Sequence, residues 1–120
     1  MHEMSLMTEM AELLAKSAKE NHIGQITRVK LVVGKMTMAL PDALKMAFEV
    51  LRAAAPFSPD AVLEIEERET KGLCGDCGAS FLVENNYRFV CPFCQGLKID
   101  ILSGRELYVE HYEGEEETAL

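Results

Sequence analysis

Four cysteines constrain this chain more than any other feature. Cys74, Cys77, Cys91 and Cys94 form two C-x-x-C pairs separated by thirteen residues. From Gly72 to Gly96 the chain otherwise offers four glycines, two adjacent asparagines and only short apolar pairs. Such a stretch cannot build a core of its own, so something else must hold it together. Each C-x-x-C can wrap two thiolates around one face of a metal. Gly75 and Gly78 let the first loop turn with its N–H groups toward the sulfurs, and Pro92 stiffens the second. Two such loops make a tetrahedral S4 cage suited to Zn²⁺. With all four positions filled by protein, the expected zinc is structural and supplies folding free energy to its module. The competing readings are redox C-x-x-C motifs or buried, unliganded thiols. A thioredoxin-like site, however, needs one such motif beside a βαβ unit, and the pattern contains none.

Charge narrows the function further. The 120 residues carry 12 Lys+Arg against 20 Asp+Glu, a formal net charge of −8. Nucleic-acid affinity rests largely on cations that neutralise phosphates, so the balance argues against DNA or RNA, and equally against an anionic membrane surface. The cysteine module follows suit. Between Lys71 and Lys98 it has three basic residues (Lys71, Arg88, Lys98) and two acidic ones (Asp76, Glu84). A Zn(Cys)4 centre adds −2, so Phe81, Tyr87, Phe89 and Phe93 are expected to cover the metal site, since no basic stripe accompanies them for stacking on bases. No apolar run approaches the ~18 residues of a membrane span. The opening residues lack the basic and apolar regions of a signal peptide, so the chain is expected in the cytoplasm with its thiols reduced.

Around the cysteines the pattern is that of an α+β protein. Met7, Met10, Ala11, Leu14 and Ala18 recur at helical spacing over residues 4–22, with Asn21 and Gly24 as stop signals. Residues 26–33 alternate as a strand, Val29, Leu31 and Val33 on one face and Arg28 and Lys30 on the other. Pro41 opens a second helix to Ala54 with Leu44, Ala47, Phe48 and Leu51 in one stripe. A second strand follows over Ala61–Glu69, and a third strand region, broken at Ser103-Gly104, over Ile99–Glu113. The expected architecture is two helices on a three-stranded sheet, with a four-cysteine zinc-ribbon lobe inserted before the last strand. In residues, that places an α/β lobe at 1–70 plus 99–113, a zinc lobe at 71–98 and a mobile acidic tail at 114–120.

The N-terminus is the second candidate site. His is too large to favour removal of Met1, so a free α-amine, the His2 amide and imidazole, and the Glu3 amide lie within chelating reach of one another. Four nitrogens in a plane suit Ni²⁺ or Cu²⁺, not Zn²⁺. The first amides of a helix have no intrahelical carbonyl to bind and are free to give up a proton to a metal. Taken alone, the signal is weak, because an exposed terminal histidine is normally just a solvated side chain. The other candidates have plainer readings. Met4, Met7 and Met10 suit packing better than a thioether site. His22 suits a helix end, and His111 a surface. Gly104-Arg105-Glu106-Leu107 lacks the glycine spacing and the Lys-Ser/Thr of a phosphate-binding loop. No cysteine is left over as a nucleophile and no His–carboxylate pair stands at recognisable spacing, so an enzyme is not expected.

Met1-His2-Glu3-x-Ser5-Leu6, the paired knuckles with Cys91-Pro92-x-Cys94, and Gly104-Arg105-Glu106-Leu107 together resemble the HypA/HybF family of hydrogenase nickel-insertion accessory proteins, in order and over nearly the whole chain. The resemblance implies a two-lobed nickel metallochaperone. Its nickel ligands fall on Met1, His2 and Glu3 and its zinc ligands on Cys74, Cys77, Cys91 and Cys94. It also implies a nickel-binding GTPase of the HypB type as partner and the [NiFe] hydrogenase large-subunit precursor as acceptor, with urease as a further destination. The alternative is a zinc-ribbon adaptor that scaffolds a complex and carries no nickel.

Overall fold

The computed structural model describes residues 2–83 and 88–117. Nine elements follow one another: α1 (Glu3–Glu20), β1 (Ile23–Gly34), a 3-10 turn at Lys35–Thr37, α2 (Pro41–Leu51), β2 (Phe57–Arg68), β3 (Lys71–Cys74), β4 (Ser80–Leu82), β5 (Ile99–Ser103) and β6 (Leu107–Glu116). They form two three-stranded sheets, ordered β2-β1-β6 and β4-β3-β5. The chain divides into two compact units, one of residues 1–31, 39–66 and 108–120, the other of residues 32–38 and 67–107. Among the described residues no helix is long and apolar enough to cross a membrane.

The first unit is built as the helical and strand periodicities require. Met7, Met10, Leu14 and Ala18 form the buried stripe of α1, and Leu44, Ala47 and Phe48 that of α2. Met7 and Met10 therefore serve as core packing, whereas Met4 is exposed. The Phe48 ring meets Phe57 of β2 edge-on, with centroids 5.6 Å apart. Ser17 of α1 and Tyr112 of β6 share a hydroxyl–hydroxyl hydrogen bond of 2.7 Å. On β1, Arg28 pairs with Glu64 and Glu113, and Lys30 with Glu66 and Glu110. The Glu66 hydrogen bond, reinforced by the charge of Glu110, holds the Lys30 ammonium above its ordinary pKa. These pairs are solvent-exposed, so they order the sheet's polar face more than they stabilise it.

Three expectations change. Helix α1 ends at Glu20 with Asn21 as its C-cap, as expected, but the left-handed residue beyond the cap is His22 (φ 57°) and not Gly24. Residues 114–116 are not a tail: β6 runs through them, and the Glu117 N–H donates to the His22 carbonyl at 2.8 Å. Gly114 makes this possible by lying against the Gln25 backbone with no room for a β-carbon. Residues 118–120 lie outside the described region.

The third change concerns the strand at 99–103, expected in the α/β lobe. It pairs instead with β3, antiparallel, with Gly72 opposite Ile101 and Cys74 opposite Ile99. On its other edge β3 pairs with β4, Gly72 opposite Phe81. Ile99 and Phe81 pack over the bare Cα of Gly72. The second unit thus carries its own small sheet, which closes at Gly104 against Gly34 and Thr70.

Candidate metal centres

The cysteines sit on two turns of the same design. Cys74 ends β3; its N–H donates to the Ala79 carbonyl (2.9 Å) and its carbonyl accepts from the Gly78 N–H (2.9 Å). In the second turn the Cys91 N–H donates to the Gly96 carbonyl (3.0 Å) and the Cys91 carbonyl accepts from Gln95 (2.9 Å). Both turns need a left-handed residue directly after their second cysteine. Gly78 supplies it in the first (φ 77°) and Gln95 in the second (φ 61°). The glycine is legible in the sequence; the glutamine is not, because only the repeat of the first turn's geometry identifies it.

These turns aim amides at sulfur. Asp76 and Cys77 N–H groups point at Cys74 Sγ (3.4 and 3.5 Å), and Phe93 N–H at Cys91 Sγ (3.4 Å). Cys74 and Cys91 are buried, Cys77 and Cys94 exposed. Sulfurs of Cys74 and Cys94 lie 3.6 Å apart, as do those of Cys77 and Cys91. All four sulfurs fall within 4.8 Å of one another.

Proton affinity in the metal-free cluster is uneven. Burial works to raise the Cys91 pKa, but the N–H groups of Cys94 and Phe93 outweigh it and bring it to about 7. At Cys94 the Gly96 N–H lowers the pKa, yet the crowding sulfurs and burial prevail and push it up to about 12. Cys77, likewise, has an N–H from Ala79 that is outweighed, and it is raised. One thiolate forms readily and its like-charged neighbours resist. A divalent cation at the centre removes that resistance, so the donor set, spacing and electrostatics fit a zinc-type S4 site. Of the aromatic residues expected to cover it, Phe93 and Phe89 are both exposed (72% and 36%), Phe81 packs on Gly72, and Tyr87 lies outside the described residues.

The N-terminal residues stand in the first unit. His2 is the N-cap of α1, extended (φ −93°, ψ 120°), exposed, with no side-chain capping bond. The helix begins with Leu6 N–H donating to the His2 carbonyl at 3.1 Å. The Glu3 carboxylate is engaged: Oε2 accepts from the Leu40 N–H at 3.1 Å, at the N-cap of α2. That bond, followed by one from its own N–H, holds the Glu3 carboxyl below its ordinary range. His2, Glu3 and Met4 border an open groove of about 430 Å³ whose other wall is Ala43, Met46, Ala47 and Val50 of α2. Met1 lies outside the described residues. The structure thus brings His2 and Glu3 together at one helix end, and all four cysteines together in the other unit.

A helix-backed sheet with an exposed histidine at its first helix, joined in one chain to a tetrathiolate double knuckle, defines a small metal-handling accessory protein. A family model described as "Hydrogenase/urease nickel incorporation, metallochaperone, hypA" matches residues 1–114. The chain belongs to the HypA family. It is 41% identical over 115 residues to the hydrogenase maturation factor HypA of Moorella thermoacetica, covering 96% of this chain and 100% of that one. With the Desulfitobacterium hafniense protein of the same name the identity is 42% over 116 residues, covering 97% and 100%. The solution structure of the Ni metallochaperone HypA from Helicobacter pylori aligns with a TM-score of 0.67 at 27% identity, covering 98% of this chain and 100% of that one.

Proposed function

We propose that this chain carries Ni(II) on Met1, His2 and Glu3 and, with a nickel-binding GTPase of the HypB type, delivers it in the cytoplasm to the [NiFe] hydrogenase large-subunit precursor, and to urease where that enzyme is the acceptor. Zn(II) on Cys74, Cys77, Cys91 and Cys94 is structural. The observation that carries this reading is His2, an exposed imidazole at the N-cap of α1 with no capping duty of its own. Its backbone nitrogen and that of Glu3 precede the first helical hydrogen bond, which suits them to deprotonate onto a metal.

The contrast between the two centres is what a carrier needs. Four thiolates close the zinc sphere and leave no vacancy for exchange. The nickel ligands lie at a chain end, where a docking partner can displace them one at a time. Because an amine, an imidazole and amides must all shed protons, nickel is held less tightly as pH falls.

The test is a nickel titration of zinc-loaded protein with an authentic, untagged N-terminus, beside His2→Ala. A square-planar absorption band saturating at one nickel per chain and lost in the variant is the expected result. Equal, weak binding by both proteins would leave the zinc-ribbon adaptor as the better reading.

A further inference from the structure

Methionine is among the residues most often buried, and α1 keeps that rule at Met7 and Met10 but not at Met4, which is 45% exposed. Met46 of α2 departs further, at 68% exposed. Core packing accounts for neither. The two lie far apart in sequence, yet both line the open groove at the start of α1, and His2 lines it with them.

The two walls of the groove are fixed to each other. The Glu3 carboxylate accepts from the Leu40 N–H at 3.1 Å, which joins the first turn of α1 to the N-cap of α2. That bond also engages the one carboxylate among the lining residues. On α2, Ala43, Met46, Ala47 and Val50 fall on one helical stripe, and the short alanines leave the Met46 sulfur uncovered. The remaining side-chain donors along the groove are therefore two thioethers and one imidazole. The set is neutral and soft, without the thiolates that close a structural zinc site or the oxygens that hold Ca²⁺ and Mg²⁺. Thioethers select Cu(I), and imidazole is a good copper ligand. The rotatable bonds of methionine let both sulfurs turn toward one ion.

We propose that His2, Met4 and Met46 form a Cu(I) site, two thioether sulfurs and one imidazole nitrogen around a monovalent ion held between α1 and α2. It shares His2 with the nickel reading but uses none of the amine and amide nitrogens, so it does not depend on that reading. Nickel and copper exclude each other at the shared imidazole.

Thiolates outrank thioethers for Cu(I), so in the full-length chain the cysteines fill first and the titration is carried past them. Protein with methyl-labelled methionine, free of nickel, is titrated under argon with tetrakis(acetonitrile)copper(I), and the methionine methyl resonances are followed by NMR. A zinc-sensitive dye marks the point at which zinc release is complete. Beyond it, the Met4 and Met46 resonances should shift together and saturate with one further copper per chain. Met38, equally exposed but in the other unit, should stay in place over that step. Met46→Leu conserves volume at an exposed position and keeps the fold, and it should weaken the step about tenfold or more, as should His2→Ala. Met4 and Met46 shifts no larger than that of Met38 would overturn the proposal, leaving copper to the cysteines alone. So would separate saturation of the two resonances, or a Met46→Leu protein that binds the further copper as tightly as the wild type.

Discussion

Gly34 and Gly104 meet backbone to backbone: a β-carbon on Gly34 would fall on the Gly104 carbonyl. The same carbonyl accepts from Met36 N–H at 2.8 Å, and Gly34 N–H donates to the Glu106 carbonyl at 2.7 Å. Gly104 itself has φ 119°, and its N–H is held by Glu106 Oε1 at 2.7 Å. The Gly104-Arg105-Glu106-Leu107 segment is thus a tight turn fixed by its own glutamate. Gly34→Ala must push this turn away, and we expect a loss of about 1–3 kcal/mol, as for other overpacked sites. Chemical denaturation of the zinc-loaded protein measures it; an unchanged midpoint would mean that the turn yields freely.

Thr70 lies beneath that turn, 2% exposed, and its hydroxyl has no hydrogen-bond partner among the described residues. A buried hydroxyl without a partner costs about 1–3 kcal/mol. Thr70→Val replaces it with a methyl of nearly the same size. The variant should be as stable as the wild type or more so, read as an equal or higher denaturation midpoint. A clear loss would show that the hydroxyl has a partner in solution.

Much of this was legible in the sequence, for a physical reason that varies by element. Both helices and β1 announce themselves because burial repeats with the element's own period, as at Leu44, Ala47 and Phe48. The four cysteines are legible because a tetrahedral S4 site demands paired C-x-x-C spacing. What periodicity cannot state is which strand a strand pairs with: Ile99–Ser103 reads as a strand, but its partner is chosen by the knuckle turns that bring Cys74 opposite Ile99. Alternation likewise puts Arg28 and Lys30 together on one side of β1, as charged residues opposite Val29, Leu31 and Val33. Ile26 and Val32 share that parity and are fully buried, since packing at the strand's two ends overrides the local pattern. Gly114 to Glu116 read as a tail because composition reports side chains, whereas their place in β6 is a backbone matter.

The Glu3–Leu40 bond has a pH signature. The Glu3 carboxyl is held below its ordinary pKa, first by the Leu40 N–H. A lowered carboxyl pKa contributes stability above its unfolded value and loses it as pH falls through the folded one. The Leu40 amide resonance should therefore titrate in acid with a midpoint below that of an ordinary glutamate. Glu3→Gln keeps an acceptor oxygen but cannot ionise, so the same resonance should become insensitive to pH in that range. A titration that persists in Glu3→Gln would assign it to another group.

Zinc removal should act on one unit and spare the other. Sheet β4-β3-β5 is short, and the side chains of Phe93 and Leu97 beside the knuckles are more than 70% exposed, so little apolar burial holds the turns at Cys74–Gly78 and Cys91–Gln95. Zinc-finger peptides draw about 10–16 kcal/mol of apparent free energy from their metal, which is enough to decide whether such turns fold at all. The first unit has Met7, Leu14, Val29, Leu31, Leu44 and Phe48 in its core and needs no ion to bury them. A strong chelator should therefore collapse the amide dispersion of Gly75, Gly78 and Gly96 while leaving that of Val29, Leu44 and Phe48 in place, and added zinc should restore it. Simultaneous loss of both sets of resonances would show that the first unit depends on the metal as well.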